Sequence, residues 1–157
     1  MLLFGKTDIG RVRSTNQDVY EFRKLDEGVW FGLVCDGMGG ENGGQIASSI
    51  ACETIYRMLS QNYQSGLSDE EYKNMIIAAV SEGNVAVYDK SIGNDQYMGM
   101  GTTVVLAVVI NDKAYIAHVG DSRVYLWKED ELYQVTKDHS IVQTLIDRGE
   151  LMPEDAV

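Results

Sequence analysis

The chain has 157 residues, 45% hydrophobic and 24% charged, with a formal net charge of -11. That length suits one domain with its own core, and the mixture is that of an ordinary globular protein. The acidic balance excludes nucleic acid or an anionic membrane surface as the main partner, because their phosphates are repelled, but it leaves cations welcome.

The two cysteines, Cys35 and Cys52, stand in apolar surroundings without a C-x-x-C spacing, so they read as buried thiols of a reducing compartment. The start of the chain has no charged segment followed by an apolar run, as a secretion signal requires. The longest aliphatic stretch, Val104 to Ile110, is far too short to span a bilayer. The expected location is the cytoplasm.

In chain order, Leu2 to Ile9 reads as a weak strand. Val19 to Lys24 and Val29 to Cys35 read as two more, joined by a turn-like segment. Trp30 to Cys35 is apolar on both faces, which predicts a central, buried strand. A glycine-rich turn, Gly37 to Gly44, leads into a helix whose Ala47, Ala51, Ile55 and Met58 share one face, with Ile46 and Ile50 beside them. Ser68 and Glu71 form a capping box for a second helix, with Tyr72, Met75, Ile76, Ala79, Val80 and Gly83 at helical spacing. Lys90 to Gly101 is a loop rich in glycine, with methionines that no pattern explains. Thr102 to Ile110, Ala114 to Val119, Val124 to Trp127 and Leu132 to Val135 are expected to form a four-strand meander, with Asn111-Asp112 as its first tight turn. A last helix is expected from about His139 to Arg148, capped by Asp138 and closed by Gly149. Strands, two helices, strands and a helix, in segregated runs, indicate an α+β fold with antiparallel sheets.

The sharpest chemical signal is Asp36-Gly37-Met38-Gly39-Gly40. A carboxylate at the end of an apolar strand is costly unless a cation or hydrogen-bond donors meet it. The glycines leave the backbone bare for close approach. A P-loop needs Lys-Ser/Thr after its last glycine, and no lysine follows until Lys73. A dinucleotide fingerprint from Gly37 needs glycine where Asn42 stands. What remains is either a site for a hard divalent cation or an aspartate that caps the next helix or closes a turn. Asp121, in Gly120-Asp121-Ser122-Arg123, is a second acid between apolar strands, although Gly-Asp-Ser is also ordinary turn chemistry. Asp18 ends the polar stretch from Arg13. Arg13 reads as a salt-bridge partner or a phosphate ligand, since its planar fork suits both.

Taken together, Arg13-x-x-Asn16-Gln17-Asp18, Asp36-Gly37-Met38-Gly39-Gly40, Gly101-Thr102-Thr103, Val119-Gly120-Asp121-Ser122-Arg123 and Thr136-Lys137-Asp138-His139-Ser140 resemble the bacterial branch of the PP2C family in order and setting. These are metal-dependent protein serine/threonine phosphatases. The resemblance implies an α+β four-layer sandwich, two antiparallel β-sheets flanked by helices. It implies hydrolysis of phosphoserine or phosphothreonine on proteins by a dimetal-activated water, with two Mn²⁺ or Mg²⁺ ions. It implies phosphoprotein substrates and a cognate serine/threonine kinase as partners.

Carried over position by position, the resemblance makes Asp36 the ligand bridging both metals and Gly37 a carbonyl ligand. Arg13 grips the phosphate and Asp18 holds metal-bound water. Asp121 reaches a third, weaker metal site. Gly101-Thr102-Thr103 shapes the neighbouring strand, while Asp138 and His139 are structural. Met38 stands where many eukaryotic relatives have a proton-donating histidine. The family's late S-D-G and D-N motifs do not occur here, and Leu145 to Val157 resembles the start of a bacterial flap segment. Residues 1–157 therefore read as a partial phosphatase domain lacking its C-terminal third. Two rival readings stay open: a pseudophosphatase or binding fragment, and an acidic cation-binding domain without phosphoryl chemistry. Unpaired edges, above all at Thr102 to Ile110, are expected to make the chain self-associate.

Overall fold

The computed structural model of the chain describes residues 1–156; Val157, the last residue of the flap-like stretch, lies outside them. The fold is α+β, with two antiparallel sheets and helices packed against them. The larger sheet is built from β1 (Asp18–Asp26), β2 (Val29–Met38), β3 (Gly101–Thr102), β4 (Val104–Ile110) and β5 (Lys113–Val119), in the order β1-β2-β4-β5 with β3 paired to the end of β2. Between β2 and β3 the chain forms α1 (Gly40–Asn62) and α2 (Asp69–Ile92). After β5 come β6 (Tyr125–Lys128), β7 (Glu131–Gln134) and α3 (Ile141–Asp147).

The core lies between the larger sheet and α1 and α2. Alternation along β2 sends Val29, Phe31, Leu33 and Cys35 to the helix side, where Leu106 and Val108 of β4 join them. From α1, Ala47, Ala51, Ile55 and Leu59 meet this face. Ala47, Ala51 and Ile55 belong to the expected stripe, while Met58, Ile46 and Ile50 are only partly buried at its margin. In α2, Tyr72, Ile76, Ala79, Gly83 and Val87 are buried, and both halves of the Ser68–Glu71 capping box form. A Cβ on Gly83 would sit 2.9 Å from Ile55, so glycine is what lets the two helices close on each other. Both cysteines are buried, and burial pushes the thiols up to about 12 at Cys35 and about 11 at Cys52. They are packing groups.

The other side of the larger sheet is where the sequence reading needs correction. β2 is central, between β1 and β4, but it is buried on one face only: Val34 is 41% exposed, and Tyr20 beside it 37%. Leu2 to Ile9 forms no strand. It crosses this open face, and a Cβ on Gly5 would lie 2.5 Å from the Tyr20 ring and 2.7 Å from that of Phe22. The segment makes side-chain contact instead of a ladder, so its apolar residues do not alternate in and out. The expected four-strand meander also divides. Asn111 (φ 57°) makes the tight turn between β4 and β5, but β6 and β7 leave the sheet and pair only with each other among the described residues. Glu129 and Asp130, both with positive φ, close that second hairpin. The polar Gly120-Asp121-Ser122-Arg123 break diverts the chain. Finally, α3 is capped by Ser140, whose hydroxyl accepts from the Gln143 N–H at 3.1 Å; Asp138 is engaged elsewhere. Gly149 (φ 69°) closes the helix end as expected.

The strand Val104–Ile110 is not an edge; it lies between β2 and β5. The edges are β1 and β5, and β1 carries Asp18, Glu21, Arg23, Lys24 and Asp26, charges that discourage strand addition. The apolar side chains that an association would cover lie instead on the open face and in the hairpin, where Leu126, Trp127 and Leu132 are exposed. Light scattering of the 157-residue chain at moderate concentration is expected to give a mass of at least a dimer, shifting to monomer when Val34 and Tyr20 are replaced by serine. A compact monomer at the outset contradicts this.

Candidate metal and phosphate site

β1 and β2 pair so that Asp18 stands opposite Asp36, both on the sheet face away from the helices. Directly opposite residues of an antiparallel pair bring their Cβ atoms to within about 5 Å, so two carboxylates meet at this end of the ladder. The backbone around Asp36 is held tightly. Its N–H donates to Thr103 Oγ1 at 3.0 Å, and its carbonyl accepts from the Thr103 N–H at 2.8 Å and from the Thr102 hydroxyl at 2.9 Å. Thr103 Oγ1 also lies 2.7 Å from Ser122 Oγ. Gly101-Thr102-Thr103 thus fastens the Asp36 strand end to the loop that carries Asp121.

The following glycine is required by contact. A Cβ on Gly37 would lie 2.1 Å from the Gly44 carbonyl oxygen and 2.7 Å from that of Gln17. The Gly37 N–H donates to the Gln17 carbonyl at 3.2 Å, and the Ser48 hydroxyl donates to the same oxygen at 2.7 Å. The Gln17 side chain reaches across to donate to the Gly40 carbonyl at 3.0 Å. Gln17 and Ser48 were given no role by the sequence reading. They tie the first polar segment to the start of α1, and only the presence of Gln17 between Asn16 and Asp18 hinted at this. Gly37→Ala is expected to destabilise the fold by about 3 kcal/mol, the upper range for forcing atoms into a filled space. A chemical denaturation curve unchanged from wild type would contradict the contact.

Asp36, Asp18, Asp121, Gly37 and Arg13 all line one cavity of about 520 Å³, with Asp8, Asn16, Met38 and Thr103 among its other walls. The structure therefore brings Arg13, Asp18, Asp36, Gly37 and Asp121 to one place, and adds Asp8, for which no motif gave a signal. Burial, then the charge and hydrogen bond of Asp18, then the charge of Asp121, push the Asp36 carboxyl above the usual carboxylate range; only Arg13 works in the other direction. A carboxylate crowded by like charge is one that a cation relieves, and oxygen donors of this kind suit Mg²⁺ or Mn²⁺. Among the described residues no three His, Cys, Asp or Glu side chains converge tightly enough to hold a metal by themselves.

Arg13 makes no ion pair among the described residues. Arg123, by contrast, grips Asp138 in a two-pronged pair, Nε–Oδ1 at 2.8 Å and Nη2–Oδ2 at 2.7 Å, which holds that carboxyl below the usual range. This is why Asp138 does not cap α3. His118 and His139 stack with ring centroids 4.3 Å apart, and the backbone N–H of His139 donates to the Gly120 carbonyl at 2.9 Å. Neither histidine lines the cavity, and Met38 at its wall offers no proton.

Comparison with known proteins decides the family. A family model described as protein phosphatase 2C matches residues 9–143. The chain belongs to the protein phosphatase 2C family. It is 36% identical to the serine/threonine phosphatase stp of Listeria innocua, over 97% of this chain and 60% of that protein. It is 33% identical to protein phosphatase PhpP of Streptococcus pneumoniae, over 96% and 60%. Among solved structures, Stp1 of Staphylococcus aureus superposes with a TM-score of 0.86 at 31% identity, covering 95% of this chain and 58% of that one. The catalytic domain of PstP in complex with two manganese ions gives a TM-score of 0.82 at 32% identity, over 96% and 61%. The chain spans about 60% of the length of the relatives it matches, and the α+β sandwich of this phosphatase 2C family is the fold they share.

Proposed function

We propose that this cavity binds a phosphorylated serine or threonine side chain together with divalent cations, and that the 157-residue chain binds such groups without turning them over. The observation that carries the reading is the meeting of Asp18, Asp36, Asp121 and Arg13 at one cavity, with no metal-holding group of three among the described residues. Arg13 would hold the phosphoryl oxygens through its guanidinium fork. Asp36 and the Gly37 carbonyl would hold the cation, Asp121 a further and weaker one, and Asp18 would orient and accept a proton from water. A bound divalent ion supplies neutralisation of phosphoryl charge and a more acidic water. With too few ligands in this chain, that chemistry stays weak.

A second reading is favoured by the relatives, which are serine/threonine phosphatases of greater length. In a phosphatase 2C domain of that length, the same four residues would serve hydrolysis of phosphoserine and phosphothreonine. Phosphoproteins and the kinase that makes them would be the partners. A fluorescent phosphoserine peptide with Mn²⁺ separates the readings. The first expects phosphate-dependent binding to the 157-residue chain with negligible phosphate release. Turnover at the rate of a full-length relative would overturn it in favour of the second.

A further inference from the structure

Met100, one of the loop methionines that no sequence pattern explained, and Met38, in the place of a histidine, meet at a second cavity. It has a volume of about 290 Å³ and lies between α1, α2 and the β3–β4 segment, walled by Met38, Val80, Val87, Met100, Val104 and Val119. Met38 lines this cavity and the phosphate cavity alike, so one side chain is the partition between them. Glycines leave the space that both methionines occupy. A Cβ on Gly101 would lie 2.8 Å from the Met38 methyl, and one on Gly39 would lie 2.6 Å from the Met100 Cα. Met100 is buried, whereas Met38 is 63% exposed and has room to move. An unbranched thioether of this kind adapts its shape to what packs against it.

We propose that this cavity is a subsite for one uncharged, apolar side chain flanking the phosphorylated residue of a protein substrate. The inference rests on the reading of the neighbouring cavity as the phosphate site. Its volume falls just below the range of pockets for whole small ligands, which suits a single leucine- or methionine-sized group. The two cavities share the Met38 wall at the end of β2, so such a group would lie one side chain away from a bound phosphoresidue. Charge points the same way. The phosphate cavity is ringed by Asp8, Asp18, Asp36 and Asp121, and the chain carries -11 overall, so an acidic flank is repelled while an apolar one gains burial.

The test is fluorescence anisotropy of the 157-residue chain with Mn²⁺ and a set of phosphoserine peptides in a glycine-alanine background. A leucine is placed in turn at each position from three before to three after the phosphoserine, and each peptide is paired with its unphosphorylated form. One placement is expected to bind about tenfold tighter than the leucine-free phosphopeptide, the usual discrimination of a small apolar pocket. Asn84→Trp, at the exposed mouth, and Val80→Phe, at the half-buried wall, are expected to abolish that preference while leaving the leucine-free phosphopeptide bound as before. The Met100 methyl signal, from the wall that belongs to this cavity alone, should shift with the leucine peptide only. Phosphate-dependent binding with no favoured placement, or a preference that survives both variants, overturns the subsite alone. Equal binding of phosphorylated and unphosphorylated peptides overturns the phosphate reading, and the subsite with it.

Discussion

Asp36→Asn, introduced into a protein of the relatives' full length, is expected to lower Mn²⁺-dependent phosphoester hydrolysis on the order of 10³-fold or more. Metal assistance contributes several kcal/mol to such reactions, and each 1.36 kcal/mol is a factor of about ten. The effect is large because Asp36 stands at the centre of the cavity's charge, against Asp18 in the ladder and within reach of Asp121 and Arg13. The same crowding provides an internal control. The folded Asp36 carboxyl titrates above its unfolded value, so in the metal-free chain its contribution to stability is fully present at acid pH below the ordinary Asp range. That contribution is lost as pH rises through the raised folded value. The metal-free asparagine variant, having no charge to crowd, is expected to melt at or above the wild-type temperature at neutral pH. A variant that hydrolyses phosphoester at near-wild-type rates in saturating Mn²⁺ contradicts the assignment; a variant that fails to fold contradicts the electrostatic account.

Arg13→Ala is expected to weaken use of a phosphorylated substrate by about 10²-fold, the scale of losing one preorganised charged donor, while leaving the melting temperature within a degree or so of wild type. Arg13 makes no ion pair among the described residues, so its removal unpairs nothing that the fold relies on. Arg123 is the contrasting case. Its two-pronged grip on Asp138 joins the strand-end loop to the segment before α3, and Arg123→Ala should lower the melting temperature. If the two alanine variants exchange these phenotypes, Arg13 is the structural arginine and Arg123 the one that meets phosphate.

What was legible in the sequence was whatever local chemistry decides. Ser68 and Glu71 cap α2 because a side chain and a backbone N–H three residues apart satisfy each other without help from elsewhere. Asn111 turns the chain because it tolerates positive φ. The candidate site was legible for another reason: Asp36 is an acid at the end of an apolar strand, and the motifs that hold Arg13, Asp18, Asp36 and Asp121 resemble a family in order. What misled were choices made by distant contacts. Asp138 looked like a helix cap until Arg123, fifteen residues back, claimed it. Leu2 to Ile9 has strand-like composition but meets the rings of Tyr20 and Phe22 instead of a ladder. The apolar run Trp30 to Cys35 is consistent with burial on both faces, and only the placement of α1 and α2 on one side shows that the other is open.

On the reading proposed above, the acidic, arginine-edged cavity would bind phosphate and a divalent cation but is too sparse in ligands for efficient chemistry. Titration calorimetry of Mn²⁺ into the 157-residue chain tests it most directly. The expected result is weak binding, on the order of 10⁻⁴ to 10⁻³ M as in sites with few charged ligands. It should strengthen as pH rises and Asp36 gives up its proton, and it should be absent in Asp36→Asn. Micromolar affinity together with phosphatase turnover like that of a full-length relative, or binding that is indifferent to Asp36→Asn, would contradict it.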